Sequence, residues 1–155
     1  MNSPDARAQV EVEAPADQVF SLVSDLPCLA RVSEEFGSGK WLGGSAGPSV
    51  GARFRGSNRR GIRIWSTVST VTDADPTRFA FDVRFLGLPV SRWQYDIEPT
   101  ETGCKVTEST WDRRPAWFRP LTVIGTGVTD RRVHNQRNIE LTLAKLKQAA
   151  ESPAA

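Results

Sequence analysis

The sequence predicts an α+β fold of the helix-grip kind, a curved antiparallel sheet wrapped around a long C-terminal helix. Three observations point there. Apolar residues alternate with period two in repeated short segments between residues 6 and 111, separated by Gly, Pro, Asp and Asn turns. From Asp130 onward the period becomes helical, with Ile139, Leu143, Leu146 and Ala150 on one stripe. The chain has 155 residues, 39% hydrophobic and 25% charged, which suits one domain spanning 1–155 with a real core.

Ala6 to Ala14 opens the chain as a half-buried strand, with Ala6, Ala8, Val10, Val12 and Ala14 inward and Arg7, Gln9, Glu11 and Glu13 outward. Pro15 and Asp17 suit the first turn of a helix carrying Val19, Phe20, Leu22 and Val23. Asp25 and Pro27 interrupt it, and a second short helix is expected over Pro27 to Glu35. After a glycine-rich stretch, strands are expected at Lys40 to Leu42, Ala52 to Ser57, Ile62 to Thr72, Phe79 to Phe85, Val90 to Glu98 and Cys104 to Trp111. The turns between them are short, as at 58–61, 73–76 and 99–103, so about six to seven strands pair consecutively as a meander. Ala116 to Gly127 is aromatic and broken by glycine, a mobile segment beside the pocket mouth. Asp130 is the expected N-cap of the final helix, which runs to Ala150, and 152–155 is expected to fray. A sheet with all its helices on one face must use the long helix as a lid, and a cavity is expected at the wide end.

Several classes of function are excluded from the expectation at this point. A net charge of +2 leaves no electrostatic footprint for nucleic acid. The longest mostly apolar stretch, Leu121 to Val128, is too short to span a bilayer, and no secretory leader is visible, so a cytoplasmic protein without membrane insertion is expected. Cys28 and Cys104 are too few for a zinc site and are expected to be reduced structural thiols. No phosphate loop, metal cluster or nucleophile elbow is present, so no metal and no cofactor are expected.

With that order of elements in place, the chain resembles the START-like (SRPBCC) superfamily, specifically its polyketide cyclase/dehydrase and lipid-transport group, common in actinobacteria. The resemblance covers nearly the whole chain. It is carried by Val10-Glu11-Val12-Glu13-Ala14-Pro15-Ala16-Asp17-Gln18-Val19-Phe20, Gly51-Ala52-Arg53-Phe54-Arg55-Gly56, the Trp65 strand, Trp93-Gln94-Tyr95-Asp96-Ile97-Glu98-Pro99 and Leu143-Ala144-Lys145-Leu146-Lys147. It implies an internal pocket for a small hydrophobic or aromatic molecule, and it selects the Trp65 face of the Ile62 strand as the inner one, against Ile62, Ile64 and Val68. The scaffold carries carriers, cyclases and hydrolases alike, so the resemblance implies the fold more strongly than the activity.

The residues expected at the pocket follow from alternation and helical projection. Phe54, Trp65, Phe81, Trp93 and Tyr95 recur at alternate strand positions, either shaping a ligand cavity or filling it. Glu108 shares a strand face with Cys104 and Val106, which makes it the best acid/base candidate, with Arg63 or Arg132 as a possible partner. Arg132, Asn135 and Gln136 project toward the sheet, either lining a wet pocket or bonding to strand ends. His134, the one histidine, falls off the buried stripe and is expected at the surface. The paired arginines at 59–60, 113–114 and 131–132 are expected to be solvated turn and helix-end residues.

The leading expectation is a binding module for a lipid-like, polyketide-like or other aromatic metabolite, working as a monomer or homodimer. The first alternative is an aromatase/cyclase or dehydratase in the same pocket, with Glu108 as acid/base and Arg63 stabilising an enolate. The second is a protein-interaction or chaperone-like module, for which Trp117-Phe118 is the one hint of an exposed apolar patch.

Overall fold

A computed structural model describes residues 2–152, so most of the tail expected to fray at 152–155 lies outside the described residues. The element order is β1 (Ala6–Val12), α1 (Ala16–Ser24), α2 (Leu26–Val32), β2 (Phe36–Leu42), β3 (Arg53–Arg60), β4 (Arg63–Asp75), β5 (Arg78–Phe85), β6 (Leu88–Pro99), β7 (Cys104–Asp112), α3 (Arg119–Thr126) and α4 (Arg131–Glu151). The strands form one antiparallel sheet in the order β1-β7-β6-β5-β4-β3-β2. Strands 2 to 7 are a meander, whereas β1 pairs with β7 at the far edge. The α1–α2 segment therefore carries the chain from one sheet edge to the other, leaving the helices on the inner face.

Asp25, which ends α1, is also the N-cap of α2, its carboxylate accepting from Cys28 N at 3.0 Å with Pro27 in the first turn. That double use explains why two short helices follow each other without a linker. The second ends at Val32 rather than Glu35.

Strand β2 begins at Phe36, four residues before the expected Lys40, although Gly37 and Gly39 argue against a strand there. The glycines have a packing cause. Gly39 pairs with Gly56 across β2 and β3, and the Phe36 ring covers both. A Cβ would stand 2.6 Å from the Phe36 ring at Gly39 and 2.9 Å from it at Gly56. Neighbouring glycines covered by an aromatic ring keep sheet pairing while making room for that ring.

Strand β4 continues past Thr72 to Asp75, because a bulge between Val71 and Asp73 keeps the pairing with β5 going. The reversal falls at Pro76-Thr77, where Asp75 accepts from Thr77 N at 2.8 Å. The inner face of β4 is that of Trp65 and Val71; Ile62 is fully exposed and Ile64 mostly so. The ambiguous segment contains a helix, α3, ended by Gly127 at φ 73°.

Helix α4 starts on Asp130, whose side chain accepts from Val133 N at 3.2 Å. It buries Ile139, Leu143, Leu146 and Ala150 against β1, β7 and α1. The core continues through Val19, Val23, Leu26, Phe79, Ile97 and Val106. It extends across the sheet to Phe54, Val71 and Phe81, and a space stays open between the inner face and the helices.

Candidate functional site

That open space is a cavity of about 400 Å³ between the inner face of β3–β7 and the helices α2, α3 and α4. Period-two alternation sends Phe54, Trp65, Phe81, Trp93 and Tyr95 into its wall, one or two from each strand. Phe36, Phe54, Phe81, Phe79 and Phe20 follow one another with centroids 5.3–6.3 Å apart, mostly edge to face. This ring series is itself core, and its cavity side gives a rigid apolar wall. Helix α3 supplies the opposite wall through Phe118, Leu121, Thr122 and Gly125 at helical spacing.

A deeply buried carboxyl interrupts the aromatic wall. Glu108 on β7 is 2% exposed and faces Tyr95, its register partner on β6. The Tyr95 hydroxyl donates to Glu108 Oε1 at 2.8 Å, and Oε2 has no hydrogen-bond partner among the described residues. Burial pushes the Glu108 pKa up to about 8 despite the opposing Tyr95 hydrogen bond, which favours the neutral acid at pH 7. Burial, together with the neighbouring Glu108, also holds the Tyr95 hydroxyl well above its ordinary value. Neither expected arginine partners Glu108.

Glu34 at the cavity edge pairs with Lys145 at 2.8 Å, and two further ion pairs line the cavity. Arg131, in the first turn of α4, meets Glu35 at 2.6 Å and lies 5.9 Å over the Trp65 ring. Asn138 donates to the same Glu35 oxygen at 3.4 Å. Arg114 forks onto Asp112, with Nη2 at 2.6 Å and Nε at 2.9 Å, and also donates to Thr122 on α3. Burial alone would raise the Asp112 pKa, but the Arg114 hydrogen bonds outweigh it and hold it below the ordinary value.

Of the ten residues expected at the site, Phe54, Trp65, Phe81, Trp93, Tyr95, Glu108 and Asn135 line the cavity. Arg63, Arg132 and Gln136 do not. Arg63 turns along the β3–β4 hairpin and donates to Ile124 O, tying down the end of α3. Arg132 is exposed. Gln136 takes the strand-bonding option: its amide oxygen accepts from Arg7 N and its amide nitrogen donates to Arg7 O, both at 2.9 Å. The helical projection turns Arg132, Asn135 and Gln136 toward the sheet where the apolar stripe of α4 gives way to polar groups; the stripe packs on β1 and the core, and of the three Asn135 alone reaches the cavity. The cavity runs along the flank of the stripe, at Arg131, Asn135, Asn138 and Thr142. Their spacing of four, three and four is a polar helical stripe present in the sequence and not singled out there.

His134 is partly buried rather than at the surface, with Nε2 3.8 Å from Glu35 Oε2. Burial depresses its pKa; Glu35 opposes the shift, and nearby arginines add to it. Of the Trp117-Phe118 pair, Trp117 is exposed while Phe118 is buried and lines the cavity; Leu121 and Ile124 on α3 are also exposed, and Leu121 lines the cavity as well. Among the described residues there is no cluster of His, Cys, Asp and Glu able to hold a metal, and no helix long and apolar enough to cross a membrane.

Comparison with known proteins places this geometry among relatives. A family model described as polyketide cyclase / dehydrase and lipid transport matches residues 3–151. No curated protein matches the sequence. A polyketide-cyclase-like protein from Corynebacterium glutamicum, solved in solution, is 29% identical, with 97% of this chain and 94% of that chain covered and a TM-score of 0.64. A crystal structure from Chromobacterium violaceum is 16% identical over 95% and 97% of the two chains, with a TM-score of 0.70. The di-domain ARO/CYC StfQ from the steffimycin biosynthetic pathway is 14% identical over 94% of this chain and 49% of its own, with a TM-score of 0.71. At those last two identities the likeness is one of fold.

Proposed function

We propose, from the premise that the chain belongs to the polyketide cyclase/dehydrase and lipid-transport family, that it binds a small hydrophobic or aromatic molecule in the cavity between sheet and C-terminal helix. The observation that carries this reading is the aromatic cavity of about 400 Å³, a volume suited to a compact multi-ring or acyl ligand. Its arginines already have carboxylate partners inside the site, so it offers little to a strongly anionic ligand. Phe54, Trp65, Phe81 and Trp93 supply contact area, while Tyr95, Glu108 and Asn135 supply polar contacts. Native mass spectrometry of freshly purified protein tests the reading. A co-purifying apolar small molecule, released on unfolding, is the expected result; an empty protein that takes up no aromatic or acyl compound on addition overturns it. A cytoplasmic location and a monomer or homodimer go with this reading, checked by fractionation and by light scattering.

The second reading is an aromatase/cyclase or dehydratase using the same pocket, and the buried Glu108 carboxyl favours it. A neutral acid held in an apolar wall is suited to protonating a carbonyl or leaving oxygen. On this reading Glu108→Gln lowers turnover by about 10²–10⁴-fold while substrate still binds. On the binding reading the wild-type protein leaves its ligand unconverted. Arg63 has no part in either.

A further inference from the structure

We infer that Glu108 is the specificity-determining group of the cavity, donating a hydrogen bond from Oε2 to a carbonyl oxygen of the ligand, so that neutral aromatic ketones, quinones or enones are bound in preference to their hydrocarbon analogues. The inference rests on the binding reading above and adds the ligand's chemical class to it.

The argument starts from hydrogen-bond accounting. A carboxyl group has two oxygens, and in this wall only one is used: Oε1 accepts from Tyr95 at 2.8 Å, and Oε2 has no partner among the described residues. A buried polar atom without a partner is costly in an otherwise well-bonded interior. The surroundings offer no protein partner for it. On β1, Ala8 stands opposite Glu108, and on α4 the lining groups Asn135 and Thr142 are neutral. Cys104 and Asp112 share β7 with it, and Asp112 is held by Arg114. Arg131 is held by Glu35, which follows α2. Leu29 of α2 and the α3 wall bring no charge, and from β6 the titratable group is Tyr95 itself.

With Tyr95 donating to Oε1, the carboxyl proton resides on Oε2, and the group presents a donor. A carbonyl oxygen, an acceptor without a proton of its own, completes the set. Tyr95 therefore acts as a positioning residue, fixing which oxygen is free and which way the donor points. The preference exists only while Glu108 is protonated, so it is present below about pH 8 and disappears above it.

The test uses fluorene and 9-fluorenone, a pair of matched shape that differs by one carbonyl oxygen, with affinities measured by tryptophan fluorescence or calorimetry. Below pH 8 the wild-type protein is expected to bind the ketone about tenfold more tightly, the worth of one good hydrogen bond. Well above pH 8 the ratio is expected to fall to about one. Glu108→Gln keeps a permanent neutral donor, so its ratio is expected to persist across the whole range. Glu108→Leu is expected to bring the ratio to about one at every pH. Tyr95→Phe removes a hydrogen bond that lowers the Glu108 pKa, so the pH at which the preference disappears is expected to move upward. A wild-type ratio near one below pH 8, or a Gln variant that loses its preference at the same pH as the wild type, overturns this inference and leaves the binding reading standing. Binding of neither compound at any pH overturns both.

Discussion

Glu108 is costly to keep where it is, and the cost has a definite pH dependence. Below its ordinary value of 4.5 the carboxyl is neutral in both folded and unfolded chains. Between 4.5 and about 8 the unfolded chain gives up this proton and the folded chain keeps it. The unfolded state then binds fewer protons, so stability falls as pH rises through this window, and the loss is complete above about 8. At roughly 1.4 kcal/mol per unit the total is on the order of a few kcal/mol. Glu108→Gln has no such loss. Urea titrations at either end of the window are therefore expected to show the Gln variant gaining on the wild type as pH rises. A difference between the two proteins that stays constant with pH would mean that Glu108 is already ionised in the folded state.

Helix α4 has two separate duties along one element. Its apolar stripe holds the sheet, and the polar stripe beside it, from Arg131 to Thr142, faces the cavity. Leu143 is 2% exposed in the holding stripe. Leu143→Ala is expected to cost about 2–5 kcal/mol by denaturant titration. A loss under about 0.5 kcal/mol would contradict the packing described for α4. Helix α3 is the opposite case. Thr126 is its one buried residue, and arginine side chains hold it: Arg63 to Ile124 O, Arg60 to Thr126 O and Gly127 O, and Arg114 to Thr122. Few apolar contacts and exposed polar ties make a segment of low local stability. Amide exchange in α3 is expected to be much faster than in β7, whose Val106 and Thr110 are almost wholly buried. Equal protection would show α3 to be a fixed wall rather than a movable one.

The molecule as a whole, a chain of 155 residues, encloses a cavity of about 400 Å³ between its sheet and helices. The apolar lining of an empty cavity lacks the contacts that close packing would supply, so the occupied state is expected to be the more stable one. A ligand present at 100 times its Kd, without affinity for the unfolded chain, is expected to add about 2.7 kcal/mol to unfolding. It is also expected to slow exchange in α3, because that helix lines the opening. Thermal and chemical unfolding with and without the ligand found by mass spectrometry check this. Stabilisation without protection of α3 would place the ligand outside the cavity.

Much of this was legible in local pattern. The alternation of β1, β5 and β6, the capping Asp130 and the stripe from Ile139 to Ala150 gave the sheet, its inward residues and the closing helix, because each reflects the period of its own element. Glu108 could be assigned to the inner face for the same reason. Its partner could not, since a cross-strand neighbour depends on register, and register put Tyr95 rather than an arginine beside it. Gly39 reads as punctuation ahead of a strand and Gly56 lies within the expected Ala52 to Ser57 strand, yet both make room for the Phe36 ring, a contact formed only once β2 and β3 pair. The side of α4 that faces the cavity depended on where the sheet ends relative to the helix, which no helical projection contains. Periodicity within one element sorts residues into faces; the choice of what each face meets is made by long-range packing.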